Sequence, residues 1–164
     1  MLPQDIEAIA EAVVRRAEAK GLMIATVESC TGGLVSGALT AIAGSSAVLD
    51  RGFVTYSNEA KVEMLGVGSD LLASFGAVSE SMARAMAEGA VARSRASIAV
   101  SVTGIAGPGG GSPQKPVGLV HFAAHGPNGR TVHLEKRFGD LGRDAIRLES
   151  VRTALALLMD AVSE

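Results

Sequence analysis

The chain has a single cysteine and no tryptophan, and aromatic residues make up only 3% of its 164 positions. One cysteine excludes an internal disulfide framework and fits a reducing compartment. So few rings argue against a platform that stacks the bases of a single-stranded nucleic acid. A basic excess is also missing. The net charge is −2, so neither a nucleic acid nor an anionic membrane surface is expected as a partner. No apolar run approaches the ~20 residues that span a bilayer. The opening segment, MLPQDIEAIAEAVVRRAEAKG, is acidic early and amphipathic throughout, unlike the basic start and apolar stretch of an export signal. A cytoplasmic protein is expected.

What is present is 48% apolar and 20% charged, enough to bury a core and too apolar for disorder. Small aliphatics and glycine supply that apolar content, which suits helices packed closely on a sheet. Ile6, Ile9, Val13, Val14 and Ala17 share one helical face over 3–20, closed by Gly21. Strands are expected at 22–28, at 48–56 with Gly52 as a bulge, and at 96–104. Helices are expected at 32–44, at 58–65 capped by Ser57 or Asn58, at 79–95 capped by Ser79, and at 142–162. A loop and a helical turn fill 66–78. Segments 117–126 and 130–139 read as a hairpin across Pro127-Asn128-Gly129. The order αβαβααβββα predicts an α/β fold: a three-layer α/β/α sandwich on a mixed, mostly parallel sheet, forming a single domain over 1–164.

Ligands of open α/β sheets sit beyond the carboxyl ends of the strands. Three polar segments are expected to meet there: ESCTGG after the first strand, TYSNEAK after the second and TGIAGPGGGSPQKP after the third. ESCTGG offers helix-start N–H groups and the Ser29 and Thr31 hydroxyls, a cradle for an oxyanion or phosphate. The plainer role is a capped helix start. Gly32 and Gly37 have the spacing of a nucleotide-triphosphate loop, but Ala38 and Leu39 stand where Lys and Ser/Thr are required. Cys30 lacks an obvious base, since His121, His125 and His133 all fall on the predicted hairpin. No zinc-ligand spacing and no carboxylate cluster is present. Lys61 could serve as a base if burial depresses its pKa, paired with a serine nucleophile; a solvated lysine is the ordinary outcome. Arg143, near the start of the last helix, is either a partner of Asp140 or Asp144 or a clamp for an anion.

Together ESCTGG, GSSA, GFVTYSNEAK, GAVSE and TGIAGPGGGSPQKPVG resemble the CinA C-terminal domain family, from the first strand to the last helix. Longer members carry an additional N-terminal molybdopterin-binding-like domain, which is not expected here. Stand-alone members are nicotinamide-nucleotide amidohydrolases. The resemblance implies hydrolysis of nicotinamide mononucleotide to nicotinate mononucleotide and ammonia, in pyridine-nucleotide salvage, by a serine–lysine mechanism without metal or cofactor. Carried onto this sequence, it implies Ser46 as nucleophile, with Ser45 and Ser29 as the other candidates, Lys61 as base and Tyr56 as proton relay. Substrate would be held by Ser29, Thr31, Gly32, Gly33, Thr103, Gly104 and Arg143, with Cys30 fitting the tight turn as a bystander to the chemistry. The partner implied is a small-molecule mononucleotide, and a homo-oligomer is compatible with it. Two rival readings are a non-catalytic nucleotide-binding module and a phosphoanhydride hydrolase.

Overall fold

A computed structural model describes residues 1–164. Its elements are α1 (Gln4–Lys20), β1 (Ile24–Glu28), α2 (Leu34–Thr40), a 3₁₀ turn at Ser45–Ala47, β2 (Leu49–Val54), α3 (Asn58–Leu65), α4 (Ser69–Phe75), α5 (Glu80–Ala92), β3 (Ile98–Gly104), β4 (Leu119–His125), β5 (Thr131–Arg137) and α6 (Arg143–Val162). The sheet order is β2-β1-β3-β4-β5. β1 pairs in parallel with β2 and with β3, whereas β4 runs antiparallel to β3 and β5. Four of the five strands therefore point the same way, and the hairpin accounts for the mixed character.

Helices α1, α2 and α6 pack on one face through Val13, Leu39 and Leu155 against Ile24, Val100 and Phe122. The other face takes Ala25, Val27 and Ala99 against Leu65, Met82 and Met86 of α3 and α5. Alternate residues of β1 and β3 thus enter opposite cores, as the two-residue period of a strand requires. With helices on both faces, these central strands are apolar on both sides.

The caps follow the local chemistry. Ser57 accepts from Ala60 N–H at the start of α3, and Ser79 accepts from Met82 N–H at the start of α5. Gly21 closes α1 in the left-handed conformation. The helix expected over 32–44 is shorter, ending at Thr40 before the 3₁₀ turn.

The bulge expected at Gly52 lies instead at Asp50. Ile24 pairs with Leu49 and Ala25 with Arg51, which leaves Asp50 as the extra residue. Its carboxylate turns back to accept from the Arg95 amide, Arg51 and Arg95. Gly52 pairs regularly with Thr26 and serves a different purpose. A Cβ there would lie 2.5 Å from Ser36 Oγ and 2.8 Å from Thr26 Oγ1, so its lack of a side chain makes room for the hydrogen bond between those two hydroxyls.

After β1 the chain passes to β2 over one face, and from β2 it crosses the other face to β3. The carboxyl end of β1 is thus a point where connections diverge, the usual location of a crevice.

Candidate active site

A cavity of about 280 Å³ opens at that rim, close to the lower end of the range for small-ligand sites. All three polar segments line it: Ser29 and Cys30 after β1, Tyr56, Asn58 and Lys61 after β2, and Thr103–Gly107, Gly109 and Gly110 after β3. Ala77 and Val78 close one side, and Arg143 at the start of α6 reaches in from another.

Lys61 is the unusual group. It lies in the first turn of α3 and is only 1% exposed. Its amine donates to the Thr55 carbonyl at 2.6 Å and stands 3.3 Å from Ser29 Oγ. Burial lowers its pKa; the negative charge that Cys30 would carry as a thiolate acts the other way. Burial also pushes the Cys30 thiol up to about 11, so near neutral pH that opposing charge is absent. The positive end of the α3 dipole disfavours the ammonium further, and no carboxylate forms an ion pair with it. The structure therefore holds a lysine biased toward its neutral form against a serine hydroxyl.

Ser46 is not brought to this site. It is exposed in the 3₁₀ turn before β2, whereas Lys61 follows that strand. Six residues of β2 separate the two rims, about 20 Å at the usual rise per residue. Ser45, in the same turn, is buried at the far rim as well. The hydroxyl that meets Lys61 is that of Ser29.

The ESCTGG turn does not form the expected anion cradle, because Glu28 already fills it. This buried carboxylate accepts from Thr31 Oγ1 at 2.7 Å and from the amides of Gly33, Val35 and Ser36. Thr31, Gly32 and Gly33 therefore shape the turn and do not line the cavity. Arg147, one turn beyond Arg143, locks it from outside by donating to the carbonyls of Cys30 and Thr31. Neither Glu28 nor Arg147 stood out in the sequence. Their signals were an acid directly before a Gly-rich helix start and an arginine four residues from Arg143.

The remaining positions have defined contacts. Thr103 donates to the Ala77 carbonyl at 2.7 Å and holds the GAVSE turn over the cavity. Gly104 is required where the loop leaves β3, since a Cβ would come within 2.7 Å of Val120 Cγ2 and 2.9 Å of the Leu119 carbonyl. Arg143 pairs with neither Asp140 nor Asp144. It donates to the Gly107 carbonyl at 2.6 Å and to the Tyr56 hydroxyl at 3.2 Å. Tyr56 stands on the rim, 62% exposed and hydrogen-bonded to Arg143. Cys30, Ala106, Gly107, Gly109 and Gly110 line the cavity, and their amide N–H groups have no oxygen acceptor in the chain. The histidines lie elsewhere: His121 and His133 share a 2.9 Å hydrogen bond across β4 and β5. No three His, Cys, Asp or Glu side chains gather where they could hold a metal ion, and no helix is long and apolar enough to cross a membrane.

Comparison with known proteins agrees with this architecture. The family model for the CinA C-terminal domain matches residues 6–162. The nicotinamide-nucleotide amidohydrolase PncC of Escherichia coli strain K12 is 48% identical over 159 residues, covering 96% of this chain and 95% of that protein. A CinA-like protein of Anaeromyxobacter sp. strain K is 52% identical over 148 residues, 90% of this chain; the match spans only 36% of that longer protein. The crystal structure of the competence/damage inducible protein CihA from Agrobacterium tumefaciens superposes with a TM-score of 0.97 at 59% identity, covering 100% of this chain and 99% of that one. The chain belongs to the CinA C-terminal domain family.

Proposed function

We propose that this chain is an amidohydrolase that cleaves the carboxamide of nicotinamide mononucleotide, releasing ammonia and leaving nicotinate mononucleotide. The observation that carries the reading is the pairing of buried Lys61 with half-buried Ser29, 3.3 Å apart, in a cavity of about 280 Å³. The name of the Escherichia coli relative, which is matched along almost its whole length, supplies the substrate.

In this reading Ser29 replaces Ser46 as the nucleophile. Neutral Lys61 takes the proton of Ser29 Oγ, which bonds to the amide carbon. The Cys30 N–H, adjacent to the nucleophile and without an acceptor, stabilises the tetrahedral oxyanion. Lys61 then returns the proton to the departing nitrogen, the C–N bond breaks and ammonia leaves. Water, deprotonated by Lys61, attacks the seryl ester; the C–O bond to Ser29 breaks, Lys61 returns the proton to Ser29 Oγ, and the acid is freed. Arg143 and the amides of Ala106, Gly107, Gly109 and Gly110 hold the phosphate. Tyr56 orients Arg143 from the rim and does not relay the proton. No metal is used.

Ammonia release from nicotinamide mononucleotide by the purified chain, with EDTA present, tests the proposal. Turnover that disappears in Ser29→Ala is the expected result. Binding without ammonia release leaves a nucleotide-binding module, and activity only with added Mg²⁺ points to phosphoanhydride chemistry.

A further inference from the structure

The charges at the cavity are one-sided. Its lining contains Lys61 and Arg143 and no carboxylate. The proposed reaction converts an uncharged carboxamide into an acid that is ionised at neutral pH. Ser29 Oγ must bond to the amide carbon, so the new carboxylate forms within reach of Lys61 Nζ, which lies 3.3 Å from that oxygen. Before reaction Lys61 has no anionic partner; afterwards it has one, in a place where solvent screens little.

We infer that the acid product binds this cavity more tightly than the amide substrate, as a carboxylate paired with the Lys61 ammonium, so that the enzyme is restrained by its own product. The inference rests on the amidase reading above.

A proton links the two roles of Lys61. Attack needs the neutral amine, whereas product retention needs the ammonium. Product arriving at the neutral form draws one proton from solvent onto Nζ. Turnover thus rises with pH through the Lys61 midpoint, and product affinity falls with pH through the same midpoint. The other groups facing Lys61 are few. Cys30 after β1, whose thiol is pushed up to about 11, and Tyr56 after β2 are titratable, and Arg143 of α6 is charged. Ala77 and Val78 before α5, and residues 105–110 of the loop after β3, present no charge, while Lys115 farther along that loop donates to the Phe75 carbonyl and does not line the cavity. On α3 itself Glu59 and Glu63 are exposed and line an adjoining surface groove that shares Asn58 with the cavity, and neither lines the cavity itself. Glu28 is occupied by the amides of the turn and of α2.

Ammonia release measured from pH 6 to 10 with nicotinate mononucleotide as inhibitor tests the inference. The product's inhibition constant should lie below the substrate KM at neutral pH. It should stay flat below the midpoint seen in kcat/KM and rise roughly tenfold per pH unit above it. Above that midpoint, calorimetry in two buffers of different ionisation heat should read uptake of about one proton per product bound. Tyr56→Phe should keep the shared midpoint. Lys61→Arg, a permanent cation, should bind product without pH dependence and turn nothing over. Ammonia release with pH-independent product inhibition, or with product bound more weakly than substrate, overturns the inference and leaves the amidase reading intact. No ammonia release at any pH overturns the amidase reading itself.

Discussion

Lys61 Nζ and Ser29 Oγ lie 3.3 Å apart although 32 residues separate them in the chain. The contact exists because β1 and β2 are parallel neighbours, so the residues that follow each strand emerge at the same rim. Ser29→Ala should lower ammonia release by roughly 10⁴-fold or more while circular dichroism stays unchanged. Ser46→Ala, on the opposite rim, should retain near-normal turnover. The reverse outcome would return the nucleophile to Ser46.

The pH profile reports the base. Lys61 must be neutral to accept a proton, so kcat/KM should rise with pH along a single acid limb. Burial sets the midpoint of that limb below the ordinary lysine value of 10.5. A limb that shifts when His121→Gln is introduced, away from the cavity, would assign the base to the histidine pair instead.

Glu28 holds the turn that presents Ser29. Glu28→Ala leaves three amides and a hydroxyl without their acceptor and should lower the unfolding free energy by about 3–5 kcal/mol. Glu28→Gln keeps the shape but turns a donor toward donors, and should lose about 1–3 kcal/mol. Urea titration measures both, and changes within ~0.5 kcal/mol would deny Glu28 this role.

Gly52→Ala tests the close approach of α2 to β2. The added methyl meets Ser36 Oγ and Thr26 Oγ1, an overpacking cost of about 1–3 kcal/mol. Ser36→Ala in the same chain should recover part of the loss, because the nearer of the two oxygens is gone. Strictly additive losses would mean that the two sites do not touch.

Asp50 gives an acid-range signature. The Arg95 amide first, then the Arg51 and Arg95 side chains, hold its pKa down to about 2. Its stabilisation is fully present above the ordinary carboxylate range near 3.8 and is lost as the pH falls through about 2. Asp50→Asn should therefore flatten the stability curve in that window and lower the plateau above it by a constant amount.

Much of the fold was legible because its signals are local. The apolar face of α1, the Ser57 and Ser79 caps and the Asn128-Gly129 hairpin each depend on a few neighbouring residues. The choice between Ser29 and Ser46 depends on the ends of the strands instead. Ser46 precedes β2 and Lys61 follows it, so strand direction alone separates them; motif resemblance carried no such information. The fate of the ESCTGG amides was hidden for another reason. A helix start with free N–H groups reads the same whether a ligand fills it or, as here, the preceding Glu28 does. The misplaced bulge follows from reading Gly52 as a flexible residue, when close packing against Ser36 and Thr26 is its reason to be small.

The loop between β3 and β4 is tied at both feet. The Ile105 amide donates to the Leu119 carbonyl, and the Gly118 amide to the Ile105 carbonyl. Since β3 and β4 are antiparallel neighbours, this segment leaves and re-enters the sheet at adjacent positions without passing through either helical layer. Insertions or deletions between these anchors can therefore resculpt one wall of the cavity while the Ser29–Lys61 pair, mounted on the parallel half, stays where it is. In the proposed reaction, substrate preference and bond-breaking chemistry would thus be housed in separately adjustable parts of one small chain.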